Sequence, residues 1–208
     1  MILFFKTLLY FVQGLTLFTV INKRKILNNS SLRYFIYYLV FVFLIIEVSA
    51  NLVRKFTSLG NHFIYNIYDI VTYTFFLFWF YSILKQKKMV KFLMLIYFIG
   101  LIFSLIFEDF FNILNINYYI GTIIILILVV TYFSSLLQKK EVIHFTKISE
   151  FWISTGILTF NIGYLPIAFL LNFQLAQNDR VTIQIVILLL NVILYGCFIK
   201  AFLCQKKI

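Results

Sequence analysis

The sequence predicts an all-α, polytopic membrane protein: a single bundle of seven transmembrane helices with the N-terminus outside and the C-terminus in the cytoplasm. Of the 208 residues, 63% are hydrophobic and 12% are charged, whereas a soluble domain carries about 25% charged residues. Seven apolar runs each approach the ~20 residues that cross a bilayer as a helix. The loops between them are alternately rich and poor in Lys and Arg, which sets the orientation.

The seven apolar runs use most of the chain, and we expect one domain over residues 1–208. The predicted helices cover approximately residues 2–21, 34–52, 62–84, 89–107, 118–137, 152–173 and 181–203. The first run is predicted to be a retained span rather than a cleaved signal peptide. It lacks an A-x-A-like cleavage site, and a basic NKRK motif follows it directly.

The basic residues lie mainly on one side of the predicted bundle. The segments after helices 1, 3 and 5 and the C-terminal segment hold fourteen of the 18 Lys and Arg residues; the other side holds Lys6, Arg54, Lys55 and Arg180. Because cytoplasmic loops carry the excess of Lys and Arg, this split predicts a multi-pass protein of the bacterial cytoplasmic (inner) membrane. Its basic face is expected to contact anionic lipid headgroups. A nucleic-acid partner is not indicated, although the net charge is +11.

Two acidic residues lie within predicted spans, Glu47 in helix 2 and Asp69 in helix 3. At 1.5 Å per residue they are about 7.5 Å and about 10 Å from the outer ends of their helices. An acidic side chain in a span costs roughly 2.5–3.5 kcal/mol on insertion scales, so each is a functional candidate.

Helical spacing places other polar residues on the same faces as these two carboxylates. Two facing polar stripes would form a small pocket in the outer leaflet between helices 2 and 3, able to bind a small ligand, an ion or a proton. A structural polar cluster that holds the helices together is an equally well supported interpretation. The predicted pocket residues are Glu47, Asn51, His62, Asn66, Asp69 and Tyr73.

Three polar residues lie near the middle of predicted spans: Gln13, Asn161 and Asn191. We expect them to form hydrogen bonds between helices, as structural contacts. On helix 6, Gly156 and Gly163 lie on one face and predict close contact with another helix. Pro166 follows them and predicts a kink.

The sequence contains no motif of the common hydrolases or redox enzymes. It has no H-E-x-x-H, no G-x-S-x-G and no C-x-x-C, and these are the motifs of metalloproteases, serine hydrolases and thiol oxidoreductases. We predict no catalytic residue, no metal site and no cofactor. The sequence therefore favours a role other than catalysis.

Three segments carry a resemblance to a known group of proteins: FLIIE at 43–47, NHFIYNIYDI at 61–70 and FWISTGILTF at 151–160. They resemble segments of uncharacterised seven-helix bacterial inner-membrane proteins. The resemblance implies an intact seven-helix membrane protein and implies no activity. It draws attention to Glu47, Asn61, Asn66 and Trp152.

The leading functional hypothesis is a sensory or partner-regulating module. Its outer pocket would bias helix packing, and its basic loops would transmit the change to a cytoplasmic or membrane protein. A small-solute transporter or a proton or ion pathway through Glu47 and Asp69 is the first alternative. An intramembrane lipid-modifying enzyme with the two carboxylates as acid and base is the second.

Overall fold

The computed structural model describes residues 2–24, 31–47, 49, 52–53, 61–138, 144–172 and 180–204. The side chains of residues 2–6, 44–45, 47, 172 and 180 are outside that description. All regular structure in the described ranges is helical, so the prediction of an all-α fold is confirmed.

Seven helices lie within the described ranges: α1 (Ile2–Asn22), α2 (Phe35–Val40), α3 (His62–Ile83), α4 (Lys87–Phe107), α5 (Asn115–Leu137), α6 (Ser149–Asn172) and α7 (Arg180–Cys204). A π-helical segment, Phe41–Glu47, continues α2, and a short 3₁₀ turn, Phe145–Lys147, precedes α6. The helices other than α2 start and end close to their predicted bounds, because the long apolar runs define them.

Five helices, α3 to α7, are long and apolar enough to cross a membrane. The described apolar part of α1, Thr7–Asn22, is shorter. Large apolar side chains point outward along these helices, as on α4, where Ile106 is 69% exposed and Phe107 is 67% exposed. Such surfaces are stable against lipid tails and not against water. The chain is therefore a helical, multi-pass membrane protein.

The chain divides into two compact units. The terminal unit comprises residues 1–33 and 133–208, and the central unit comprises residues 34–132. The division falls within α5, at Phe133.

In the terminal unit, α6 and α7 pack closely through the two glycines of α6. A Cβ atom at Gly156 would lie 2.9 Å from the Cβ of Cys197. A Cβ at Gly163 would lie 2.5 Å from a methyl group of Leu190. A larger residue at Gly156 would push against α7 itself, and one at Gly163 would require the Leu190 side chain to move, so the small side chains permit the close contact of the two helices.

In the central unit, aromatic rings pack α2 against α3. Phe35 contacts Phe75 and Trp79 edge-on, with ring centroids 4.9 Å and 5.7 Å apart. Tyr38 stacks on Phe75 at 4.3 Å with an interplanar angle of 6°. Nearer the other end of α3, Ile64 packs against Ile46. Residues early in α2 thus contact residues late in α3, so the two helices are antiparallel neighbours.

Two glycines bring α5 close to the other helices of the central unit. A Cβ at Gly121 would lie 2.5 Å from the Tyr73 ring of α3. A Cβ at Gly100, on α4, would lie 2.6 Å from a methyl group of Ile120. These contacts hold α3, α4 and α5 together around the polar residues described next.

Candidate functional site

Four predicted pocket residues lie on α3, and they are buried in the central unit to different degrees: His62, Asn66, Asp69 and Tyr73. Asn66 and Tyr73 are buried, at 2% and 5% exposure. Asp69 is partly buried, and His62, in the first turn, is exposed. The four residues therefore differ in environment although they share one face of the helix.

Asn66 fixes the segment that connects α4 and α5. Its amide nitrogen donates hydrogen bonds to the carbonyl oxygens of Phe110 and Asn112, at 2.8 Å and 2.6 Å. Its amide oxygen accepts a hydrogen bond from the backbone N–H of Leu114 at 3.1 Å. The side chain thus supplies hydrogen-bond partners to three backbone groups of an irregular segment, which has no regular backbone pairing of its own. This geometry assigns Asn66 a positioning role for the 108–114 segment.

Acidic side chains also form hydrogen bonds with the backbone of this segment and of the first turn of α5. Both carboxylate oxygens of Glu108 accept from the backbone N–H of Ile116, at 3.2 Å and 3.1 Å, and Ser104 donates to the same carboxylate. Asp109 accepts from the backbone N–H of Phe111 at 3.1 Å. A carboxylate at the start of α5 satisfies a free N–H group and opposes the positive end of the helix dipole. Sequence reasoning missed Glu108, although an acidic residue shortly before a helix is a signal for this role.

Tyr73 reaches from α3 to α5. Its hydroxyl lies 2.9 Å from the Thr122 hydroxyl and donates to the backbone oxygen of Tyr118 at 3.3 Å. The ring fits because Gly121 has no side chain to occupy that space. The rings of Tyr73 and of Tyr97, on α4, also meet edge-on, with centroids 5.9 Å apart.

Tyr97 and Asn117 are buried beside this contact, at 0% and 1% exposure. The Tyr97 hydroxyl makes side-chain hydrogen bonds of poor geometry to Thr74 and to the Asn117 amide. Within the described part of the chain neither the Tyr97 hydroxyl nor either polar atom of Asn117 has a hydrogen-bond partner of normal geometry. Sequence reasoning missed both residues, because a single Tyr or Asn is unremarkable in a chain with 14 tyrosines.

Asp69 lies next to these groups. Its carboxylate interacts electrostatically with the phenol groups of Tyr38, Tyr73 and Tyr97. No hydrogen bond or ion pair joins it to any residue in the described ranges. Asp69, Tyr73, Tyr97, Asn117 and Thr122 are called the polar cluster below.

The residues of predicted helix 2 that were expected to face the polar residues of α3 lie outside the described part of the chain. Asn51 lies there entirely, as does the side chain of Glu47. A pocket that includes Glu47 and Asn51 therefore stays a prediction. The described contacts of Asn66 and Tyr73 lead to the 108–114 segment and to α5.

The three predicted mid-membrane residues lie in the terminal unit and are partly or fully buried. The Gln13 amide nitrogen donates to the Tyr195 hydroxyl at 3.1 Å and joins α1 to α7. Asn161 and Asn191 each donate at 2.8 Å to a carbonyl oxygen one turn earlier, in Ile157 and Ile187. Gln13 thus makes the expected hydrogen bond between helices, whereas the described hydrogen bonds of Asn161 and Asn191 lie within their own helices. α6 continues through Pro166.

The other end of α3 is apolar. An aromatic cluster of Phe35, Phe75, Phe76, Trp79 and Phe80 fills the space between α2 and the second half of α3, and all but Phe75 are less than 9% exposed. Lys87 donates from its ammonium group to the carbonyl oxygens of Tyr81 and Ser82 and so ends α3. The space between α2 and the second half of α3 is therefore filled by aromatic rings.

Comparison with known proteins identifies no relative. No known protein family matches the chain, and neither a curated protein nor a solved structure is significantly similar to it. The interpretation of the polar cluster therefore depends on its chemistry alone.

The polar cluster brings a carboxylate, an amide and phenol groups into a helical bundle, where polar groups without partners are costly. Within the described residues no group of three or more His, Cys, Asp or Glu side chains could hold a metal ion.

Proposed function

We propose that the protein is a sensory, partner-regulating membrane module that binds a small polar molecule at the polar cluster. The observation that carries the proposal is the buried pair Tyr97 and Asn117, whose polar atoms have no hydrogen-bond partner of normal geometry among the described residues, near Asp69. A bound molecule that satisfied these groups would stabilise the packing of α3, α4 and α5. Binding would in that way change the conformational equilibrium of the helices.

The proposal includes seven spans, with the N-terminus outside and the C-terminus in the cytoplasm. The distribution of Lys and Arg supports it, because Lys85, Lys88 and Lys91 are exposed at the junction of α3 and α4 and cytoplasmic segments carry such residues. In this orientation the 108–114 segment and the polar cluster face the outer side. The basic junction is the surface that contacts anionic lipid and the partner protein.

The orientation can be tested by cysteine labelling. Cys197 and Cys204 are first replaced by Ser, and a single cysteine is then introduced as Asp109→Cys or Gln86→Cys, both exposed positions. We expect a membrane-impermeant maleimide to label the Asp109→Cys variant in intact cells and the Gln86→Cys variant only after permeabilisation. The reverse pattern would invert the proposed topology.

Binding can be tested by a thermal-stability screen in lipid nanodiscs. The panel contains small amines, carboxylates, sugars and alkali-metal chlorides, and the variants are wild type, Asp69→Asn and the matched control Asp109→Asn. We expect one chemical class to raise the thermal midpoint of wild type and of Asp109→Asn, and to have a much smaller effect on Asp69→Asn. If every class acts equally on all three proteins, the binding proposal is wrong.

A transporter is the second candidate, because an acidic residue within a span is typical of proton and ion pathways. The aromatic cluster supports the sensor, since it fills the space between α2 and the second half of α3 with apolar rings. In proteoliposomes we expect wild type to conduct protons and alkali cations no faster than empty liposomes. A flux that requires Asp69 would replace the sensor by the transporter.

A further inference from the structure

The segment between α4 and α5 exposes large apolar side chains although it is not helical. Phe111 is 59% exposed and Ile113 is 52% exposed. They follow the end of α4, where Ile106 and Phe107 are more exposed still. Exposed apolar side chains grouped in this way mark a surface that contacts lipid or another protein. These four residues are called the apolar tip below.

The backbone of the 108–114 segment finds its hydrogen-bond partners within the protein. The Asn66 side chain contacts three of its backbone groups, and the Asp109 carboxylate accepts from the N–H of Phe111. The backbone N–H of Asn112 donates to the Asp109 carbonyl oxygen at 2.9 Å. A loop in water can pair its backbone groups with solvent, whereas a loop against lipid must pair them within the protein. The segment therefore has the backbone pairing that contact with lipid requires.

Continuity with α4 favours lipid over a protein as the contact of the apolar tip. Ile99, Ile102 and Phe103 on α4 are between 49% and 60% exposed, and such side chains contact lipid tails in a helical membrane protein. The rings of Phe103 and Phe107 have centroids 4.2 Å apart. The apolar tip thus continues the lipid-facing surface of α4.

Polar groups limit how deeply the segment can lie in the bilayer. The side chains of Asp109 and Asn112 are exposed, and the Asn112 amide donates to the Asp109 carboxylate at 3.0 Å. An exposed carboxylate is costly in the hydrocarbon core, and irregular backbone does not occur against lipid at that depth. The depth that suits both the apolar and the polar side chains is the boundary between headgroups and acyl chains.

We propose that the 108–114 segment is an interfacial anchor whose occupant is bilayer lipid. Phe111 and Ile113 insert beside the glycerol backbones and first acyl carbons of the leaflet at that end of the bundle. Asp109 and Asn112 stay at the level of the headgroups. The anchor holds the junction of α4 and α5 at a fixed depth in the membrane. It does not depend on a ligand at the polar cluster.

Site-directed spin labelling of the full-length protein in nanodiscs tests the depth. In a background in which both native cysteines are replaced by Ser, one nitroxide is attached at Phe111→Cys or Ile113→Cys. The references are Ile99→Cys, on the lipid-facing surface of α4, and Gln86→Cys, at the exposed α3–α4 junction. Collisions of the nitroxide with oxygen, which dissolves in lipid, are compared with collisions with a nickel chelate, which dissolves in water.

We expect the oxygen-to-nickel collision ratio at Phe111→Cys and Ile113→Cys to exceed that at Gln86→Cys at least about threefold, because lipid excludes the chelate. It should stay below the ratio at Ile99→Cys, which lies deeper. Ratios at residues 111 and 113 equal to that of Gln86→Cys would place the segment in water and overturn the inference. Few collisions with either reagent would show that a protein covers the segment, which would overturn it as well.

A measurement on wild type keeps the inference testable if a variant fails to fold. The protein is reconstituted with a phospholipid that carries a photoreactive diazirine on the acyl carbons next to the glycerol, and labelled peptides are identified by mass spectrometry. We expect label on the peptide that contains Phe111 and Ile113 as well as on the end of α4. Label on α4 with none on residues 109–114 would reject the anchor.

Discussion

Replacing Asn66 by Ala should loosen the segment between α4 and α5. Asn66 is 2% exposed, and its amide makes three hydrogen bonds to the backbone of residues 110–114, at 2.8, 2.6 and 3.1 Å. A net contribution of about 0.5–1.5 kcal/mol per hydrogen bond predicts a loss of roughly 2–4 kcal/mol in the free energy of unfolding. The loss includes the Leu114 N–H, which becomes a buried donor without its partner.

The assay is reversible unfolding in mixed micelles, combined with hydrogen exchange of the 108–114 peptides. The matched control is Asn112→Ala, in the segment itself, because the Asn112 side chain is exposed and bonds only locally to Asp109 at 3.0 Å. The backbone carbonyl of Asn112, which Asn66 contacts, is retained in that variant. We expect Asn112→Ala to lose less than about 0.5 kcal/mol.

Equal free energies of unfolding for Asn66→Ala and Asn112→Ala, with equal exchange rates of their 108–114 peptides, would contradict the positioning role of Asn66. That result would mean that the connecting segment is ordered by its own turns and by Glu108. Asn66 would then be a polar side chain that happens to meet the segment.

Three further perturbations test the packing and capping contacts. Gly121→Ala should lower the free energy of unfolding by about 1–3 kcal/mol, because the new methyl group meets the Tyr73 ring. The control Gly196→Ala should not lower it, because a Cβ there meets nothing within 4 Å. Equal losses for the two variants in unfolding titrations would contradict the explanation. Glu108→Gln should speed hydrogen exchange in the first turn of α5, since a charged cap on a helix N-terminus is lost; unchanged exchange would show that the charge is unimportant. Gln13→Leu and Tyr195→Phe should couple by about 0.6–1.7 kcal/mol in a double-mutant cycle, and additive effects would rule out their hydrogen bond.

The length of the apolar runs in the sequence made most of the helices predictable. The long apolar runs of α3 to α7 leave no alternative secondary structure, because a backbone in lipid must satisfy its own hydrogen bonds. The start of α5 was predicted at residue 118 and is observed at Asn115. Polar residues can form the first turn of a helix when a side chain such as Glu108 satisfies their N–H groups, and an apolar run does not include them.

The candidate site was predictable only in part. The helical spacing of Asn66, Asp69 and Tyr73 correctly placed them on one face of α3, because that follows from the helix itself. Their neighbours did not follow, since Tyr97 and Asn117 come from other helices at sequence separations that carry no periodic signal. The partners of Asn66 were not predictable for the same reason, since they lie at 110–114, 44 to 48 residues away in the sequence.

The sequence by itself determined that this is a helical membrane protein, which polar residues lie within its spans, and which loops carry positive charge. Those properties depend on local composition and on transfer of side chains from water to lipid. Only the tertiary structure decided which polar groups meet. The close approach at Gly121 brings Tyr73 to Thr122, and the packing of α3, α4 and α5 buries Tyr97 and Asn117 near Asp69. Such contacts depend on how helices pack, and packing between helices of similar hydrophobicity is set by the shapes of individual side chains.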